Sequence, residues 1–121
     1  MPRVLIVDDE KDVVDYIREE LKIAGYQTGV AYDGVEAVLL VLDGGWDVVM
    51  MDIRIPKLDG INALRIMQRV APKVPVVIFT GQAAQGELIN STQLGAFTYL
   101  MKPVSPEMLA ATMSQIMGET K

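Results

Sequence analysis

The chain has 121 residues, half of them hydrophobic, and a formal net charge of −5, which suits one acidic domain over residues 1–121 with a full core. The acidic balance argues against direct binding to nucleic acid, and the lack of cysteine and histidine excludes disulfides, thiolate chemistry, histidine base catalysis and zinc sites of the usual kind. Since no apolar run approaches the ~18 residues of a membrane span and no signal-peptide pattern is present, we expect a cytoplasmic protein without a membrane partner.

Short apolar runs alternate with amphipathic patterns along the whole chain. The runs predict five strands, at residues 4–7, 26–31, 48–51, 76–79 and 97–101. The amphipathic patterns predict five helices: one ending at Gly25, one from the Asp33 cap to Gly44-Gly45, one from Asp59-Gly60 to about Arg69, one from Gln85 to Gln93, and one after the Ser105 cap.

A strand followed by a helix, five times over, predicts an α/β fold. Right-handed crossovers then give a parallel sheet with helices on both faces, in three layers. The small doubly wound, flavodoxin-like order 2-1-3-4-5 is the natural choice for five strands. This order aligns the carboxyl ends of strands one, three, four and five along one edge, where ligands bind in open α/β sheets.

Polar residues stand at each of those strand ends. Asp8 and Asp9 follow the first strand, Asp52 the third, Thr80 the fourth and Lys102 the fifth. Two carboxylates about 4 Å apart repel by roughly 4 kcal/mol at an effective dielectric near 20, so a cation should offset the repulsion. Mg²⁺ prefers oxygen ligands and keeps open positions that suit a phosphate oxygen.

This set of groups describes phosphoryl transfer onto an aspartate. Asp52 would be the nucleophile, Lys102 and the metal would neutralise charge on the phosphoryl oxygens, and the Thr80 hydroxyl would donate a hydrogen bond.

Four motifs in order resemble the receiver domains of two-component response regulators along the whole chain. They are Val7-Asp8-Asp9-Glu10, Met51 to Gly60, Thr80-Gly81 and Gly95 to Pro103. The resemblance implies that Asp52 accepts a phosphoryl group from a histidine kinase or a phosphotransfer protein. It further implies Mg²⁺ binding by Asp9, Asp52 and the Arg54 backbone carbonyl, with Asp8 acting mostly through water.

The resemblance also implies how the signal leaves the site. Thr80 and Tyr99 match the switch pair of the family, which changes the affinity for a downstream effector protein or domain. Lys102-Pro103 matches a peptide bond that is usually cis. Ile55 and Gly81 replace the commoner methionine and alanine, and the small Gly81 should leave more room for small phosphodonors and water.

Two other functions compete with this interpretation. A docking module that signals without phosphate would have no need for repelling carboxylates. An aspartate-nucleophile phosphatase would want a second aspartate two residues after Asp52, where Arg54 stands instead.

Two surfaces are candidates for partner binding. On the second helix, Val35, Leu39 and Leu42 form an apolar stripe, which is either an interface or a face that the helix rotates to bury. The last helix has no charge from Met108 to Met117, so its methionines either meet an adaptable apolar partner or fill the core.

Overall fold

A computed structural model describes residues 2–81 and 91–119, and these contain the five predicted strands and four of the five predicted helices. The strands are β1 (Arg3–Val7), β2 (Gln27–Ala31), β3 (Val48–Met51), β4 (Val76–Thr80) and β5 (Thr98–Met101). The helices are α1 (Lys11–Ile23), α2 (Gly34–Asp43), α3 (Gly60–Val70) and the last helix (Pro106–Glu119).

The five strands form one parallel sheet in the order β2-β1-β3-β4-β5, as the sequence predicts. β1 lies between β2 and β3, with Val7 opposite Ala31 on one side and Met51 on the other. β3 therefore sits at the centre of the sheet, and all four of its residues are buried. Asp52 follows directly at its carboxyl end.

Alternate residues of the central strands enter two separate cores, which is the pattern of a sheet covered on both faces. Leu5, Val49 and Ile78 belong to one core together with residues of α2 and α3. Ile6, Met50 and Phe79 belong to the other, with residues of α1 and the last helix. The three-layer arrangement is thus confirmed, and within the described ranges no helix is both long and apolar enough to cross a membrane.

Side chains cap three of the helices at the predicted positions. Asp33 accepts a hydrogen bond from the Glu36 N–H at 2.8 Å, Asp59 from the Asn62 N–H at 2.9 Å, and Ser105 from the Met108 N–H at 3.1 Å. In a capping box, the Glu36 carboxylate would accept a hydrogen bond from the N–H of the cap residue Asp33. Here it accepts instead from the N–H of the preceding residue, Tyr32, at 3.2 Å.

Element boundaries differ from the prediction by one residue in several places. β2 begins at Gln27 and β5 at Thr98, each one residue later than the sequence suggested, while α3 continues to Val70 and β4 to Thr80. Most of the helix predicted from Gln85 to Gln93 falls outside the described residues, and residues 91–93 are helical.

Candidate functional site

The carboxyl ends of the central strands meet at a cavity of about 290 Å³. Its lining brings together residues at or just after the ends of four different strands: Asp9, Glu10, Asp52, Arg54, Thr80, Gly81 and Lys102. Asp8 and Thr80 are buried at the ends of their strands, as expected where parallel strands end at one edge of a sheet. The predicted cluster of acids, hydroxyl and lysine is therefore present in the fold.

The ammonium group of Lys102 lies at the centre of this cluster. Its Nζ is 2.7 Å from Oδ2 of Asp8, 2.8 Å from Oδ2 of Asp52 and 3.2 Å from Oε1 of Glu10. Burial by itself disfavours the protonated amine, but the contacts with Asp52 and Asp8 outweigh it and raise the pKa of Lys102. Lys102 is therefore a fixed positive charge at all pH values near neutrality.

Asp8 is completely buried, and its two oxygens have different surroundings. Oδ1 accepts a hydrogen bond from the Glu10 N–H at 2.8 Å. Oδ2 lies close to the lysine amine, yet it accepts no well-oriented hydrogen bond from the described residues. Burial raises the pKa of the Asp8 carboxyl, against the opposing effect of Lys102. A buried oxygen in this state has capacity for a further cationic or hydrogen-bonding partner.

Backbone contacts fix the position of Asp52. Its N–H donates to the carbonyl of Val7 at 3.0 Å, which continues the pairing of β3 with β1 past the last ladder residue. Its Oδ1 accepts from the Arg54 N–H at 3.0 Å. Gly60, at the start of α3, lies so close that a Cβ there would be 2.5 Å from the Asp52 carbonyl oxygen. The loop after β3 thus returns tightly against the strand end.

Asp9, a predicted metal ligand, and its neighbour Glu10 occupy different positions relative to the other acids of the site. Asp9 is exposed and lines the cavity, but it lies outside the group of acids whose oxygens approach within 4.8 Å of one another. That group consists of Asp8, Glu10 and Asp52. Sequence reasoning did not single out Glu10, although its position directly after two aspartates at a strand end was a usable signal.

The donor set fits a hard divalent cation. Within the part of the chain that the structure describes, the carboxylates of Asp8, Glu10 and Asp52 converge, and Oδ2 of Asp8 lacks a hydrogen bond. Carboxylate oxygens are the ligands that Mg²⁺ prefers. The loop at Arg54 borders the same cavity. The residues present are therefore compatible with the predicted metal.

The predicted switch residues lie on neighbouring strands. Thr80 is the last residue of β4 and pairs in register with Met101 of β5. Tyr99, on β5, pairs with Ile78 of β4. Thr80 is buried, whereas the ring of Tyr99 is exposed on the outer strand of the sheet. The Lys102–Pro103 peptide bond is cis, as the resemblance implies.

The two candidate partner surfaces differ in exposure. Val35, Leu39 and Leu42 are 44%, 57% and 56% exposed, so α2 does not rotate to bury its apolar stripe. On the last helix, Met113 is buried in the core and Met108 is half exposed. The prediction that these methionines fill the core is therefore confirmed for Met113, while a partner at Met108 stays a prediction.

A family model described as the response regulator receiver domain matches residues 4–114. The chain is 32% identical over 119 residues to the response regulator MprA of Mycobacterium avium and 33% identical over 118 residues to MprA of a Mycobacterium species. These matches cover 98% of this chain but 52% and 51% of those relatives, so the chain spans about half their length.

Solved structures with the same fold cover nearly the whole chain. The receiver domain of the Francisella response regulator 1452 is 32% identical, with a TM-score of 0.91 and complete coverage of both chains. The beryllofluoride-activated NtrC4 receiver domain dimer is 27% identical, with a TM-score of 0.94 and complete coverage of both chains. A CheY-like receiver domain protein from Methanospirillum hungatei is also 27% identical, with a TM-score of 0.95 over 99% of this chain and 96% of that one.

Proposed function

The chain belongs to the response regulator receiver domain family, and from that premise we propose that it is a signalling switch phosphorylated on Asp52. The observation that carries the proposal is the contact between Asp52 and Lys102, 2.8 Å apart in a cavity that also contains Thr80 and the neighbouring acids. Under this proposal residues 1–121 form one receiver domain, and its cytoplasmic location stays a prediction.

The chemistry begins with a phosphohistidine on a histidine kinase or a phosphotransfer protein. A carboxylate oxygen of Asp52 attacks phosphorus, the P–N bond breaks, and the imidazole nitrogen leaves with the electron pair of that bond. The product is an acyl phosphate on Asp52. Water later attacks the same phosphorus, which releases inorganic phosphate and restores the carboxylate.

Two side chains of this protein act on the transferred group. Lys102 donates to a phosphoryl oxygen, because its amine already lies at Oδ2 of Asp52 and stays protonated. The Thr80 hydroxyl, at the end of the adjacent strand, donates to a second oxygen. Both contacts stabilise charge that increases during the transfer, which is the main source of catalysis in such reactions.

Mg²⁺ would be held by Asp9, Asp52 and the Arg54 carbonyl, with Asp8 acting through water. When bound, the ion neutralises charge on the phosphoryl oxygens. Asp8 contributes its buried carboxylate and keeps the lysine amine next to Asp52. The protein is therefore a phosphoacceptor that promotes its own phosphorylation and dephosphorylation rather than a turnover enzyme.

The output would pass through Thr80 and Tyr99. On phosphorylation the Thr80 hydroxyl moves toward the phosphoryl group and the exposed ring of Tyr99 turns inward, which changes the surface of β5. A downstream effector protein or domain then binds with altered affinity. The proposal includes no direct contact with nucleic acid or with a membrane.

Intact mass measurement tests the proposal directly. Wild type incubated with acetyl phosphate and Mg²⁺ should gain the mass of one phosphoryl group, and Asp52→Ala should gain none. Asp43→Ala, which removes an exposed carboxylate at the end of α2, is the matched control and should behave as wild type. Uptake by Asp52→Ala would show that the acceptor is another residue.

A further inference from the structure

Glu10 lies at the mouth of the site and contacts the same amine as the two buried aspartates. Its Oε1 is 3.2 Å from Nζ of Lys102, and its side chain is 63% exposed. Glu10 is the N-cap residue of α1, yet its side chain makes no capping hydrogen bond. The carboxylate is therefore not engaged in the local role that its position offers, and it reaches a lysine 92 positions away.

The Lys102 amine already contacts three carboxylates in this state. Its Nζ donates to Oδ2 of Asp52 at 2.8 Å and to Oε1 of Glu10 at 3.2 Å. It also lies 2.7 Å from Oδ2 of Asp8, without a well-oriented hydrogen bond. A phosphoryl group that arrives at Asp52 brings oxygens that need a hydrogen from the same amine. The arriving oxygens therefore compete with carboxylate oxygens that already contact this amine.

Burial and distance identify which acceptor leaves. Asp8 is inaccessible to solvent and is fixed by the N–H of Glu10, and Asp52 carries the arriving group. Glu10 makes the longest of the three contacts, and water can solvate its carboxylate once the contact breaks. Its release therefore costs least, since an exposed ion pair contributes little to stability.

We propose that Glu10 is a positioning residue that holds the Lys102 amine in the unphosphorylated protein and competes with the incoming phosphoryl oxygens for it. Its negative charge at the cavity mouth also repels an anionic phosphodonor. Glu10 thereby slows phosphorylation of the empty site. This inference rests on the proposed function of Asp52 and concerns the regulation of the same site.

Glu10→Gln tests the inference, because it removes the charge and keeps the length of the side chain. With acetyl phosphate and Mg²⁺, its rate of phosphorylation at subsaturating donor should exceed that of wild type by about two- to fivefold, the range expected for an exposed charge pair. The gain should arise from a lower half-saturating donor concentration, while the limiting rate changes little.

Asp12→Asn is the matched control. Asp12 carries the same charge in the first turn of α1, and it is not one of the three carboxylates that contact Lys102 in the described ranges. The phosphorylation rate of Asp12→Asn should equal that of wild type. The ¹⁵N signal of the Lys102 ammonium, recorded without donor or metal, should shift in Glu10→Gln and stay in place in Asp12→Asn.

The outcomes separate this inference from the function on which it rests. If wild type is phosphorylated on Asp52 and Glu10→Gln is no faster than Asp12→Asn, the role of Glu10 is refuted and the phosphoacceptor function stands. A slower Glu10→Gln that also binds Mg²⁺ more weakly would make Glu10 a metal ligand and equally refute the inference. A wild type that takes up no phosphate refutes both.

Discussion

The ammonium group of Lys102 lies 2.8 Å from Oδ2 of Asp52, although fifty positions separate the two residues in the chain. The contact joins the end of the central strand to the loop after the edge strand β5. It places a permanent positive charge beside the proposed phosphoacceptor before any phosphate arrives. The same amine also offsets the repulsion between Asp52 and Asp8, so it stabilises the fold and prepares the site.

Lys102→Met should destabilise the protein in metal-free buffer by about 3 kcal/mol, because it removes the cation from a buried group of carboxylates. Chemical denaturation with a chelator measures the free energy of unfolding. Lys11→Met, which breaks an exposed pair with Asp15, is the control and should remain close to wild type. Added Mg²⁺ should stabilise Lys102→Met more than wild type, and equal stabilisation would contradict this account.

Mg²⁺ should raise the melting temperature of wild type. At a tenfold excess over its dissociation constant, a ligand that binds only the folded state contributes about 1.4 kcal/mol. Asp9→Asn should show a much smaller shift, since Asp9 is a proposed ligand at the cavity wall. For the control Asp43→Asn, Mg²⁺ should raise the melting temperature as much as it does for wild type. Equal shifts in all three proteins would refute the metal role of Asp9.

Asp8→Asn should be more stable than wild type at neutral pH without metal, by on the order of 1 kcal/mol, because a buried charge with an unsatisfied oxygen is removed. Burial raises the pKa of Asp8 above the value of 3.8 for an unperturbed aspartate, so the folded state binds this proton more tightly than the unfolded state. The wild type therefore loses stability as pH rises through the folded pKa.

The advantage of Asp8→Asn should accordingly shrink as pH falls toward 3.8, where the Asp8 carboxyl of wild type becomes protonated in both states. Denaturant unfolding of both proteins from pH 7 down to pH 4 measures the difference. If Asp8→Asn were less stable than wild type at pH 7, the contact of the Asp8 carboxylate with Lys102 would outweigh the cost of burying that carboxylate.

Gly34→Ala should destabilise the fold by about 1–3 kcal/mol, the usual cost of overpacking. A Cβ at Gly34 would lie 1.8 Å from the backbone oxygen of Leu58, and the Gly34 N–H donates to the Pro56 carbonyl at 3.1 Å. The start of α2 is thus packed directly on the loop that follows Asp52. The substitution should therefore also slow phosphorylation, as measured by intact mass over time.

Gly118→Ala is the control for that substitution. Gly118 lies in the last helix with open space around its missing Cβ, so alanine should stabilise the helix by up to about 1 kcal/mol. If Gly34→Ala were as stable as Gly118→Ala, the close approach between α2 and the loop would be disproved.

Thr80→Val should keep the fold, because valine has the shape of threonine. It should lower the rate of phosphate uptake about tenfold, because the loss of one hydrogen bond of about 1.4 kcal/mol in the transition state corresponds to that factor. Thr80→Ser retains the hydroxyl and should stay near the wild-type rate. Mass spectrometry at a fixed donor concentration compares the three proteins. A valine variant as fast as wild type would remove the hydroxyl from the proposed mechanism.

Local sequence patterns determined the architecture and much of the site. The apolar runs at β1, β3 and β4 are buried on both faces, so their composition alone identified them as central strands. The cap residues Asp33, Asp59 and Ser105 were predictable because a cap acts within three residues of itself. Strand order then placed Asp8, Asp52, Thr80 and Lys102 at one edge.

Tertiary packing decided which neighbouring side chains meet. Sequence reasoning gave Asp9 a role and left out its neighbour Glu10, but the turn from β1 into α1 brings Glu10 into contact with Lys102. Likewise, only the rotation of the last helix separates buried Met113 from exposed Met108. Sequence periodicity determines which elements form and which of their ends align. Contacts between distant residues depend on the relative placement of whole elements, which no local pattern encodes.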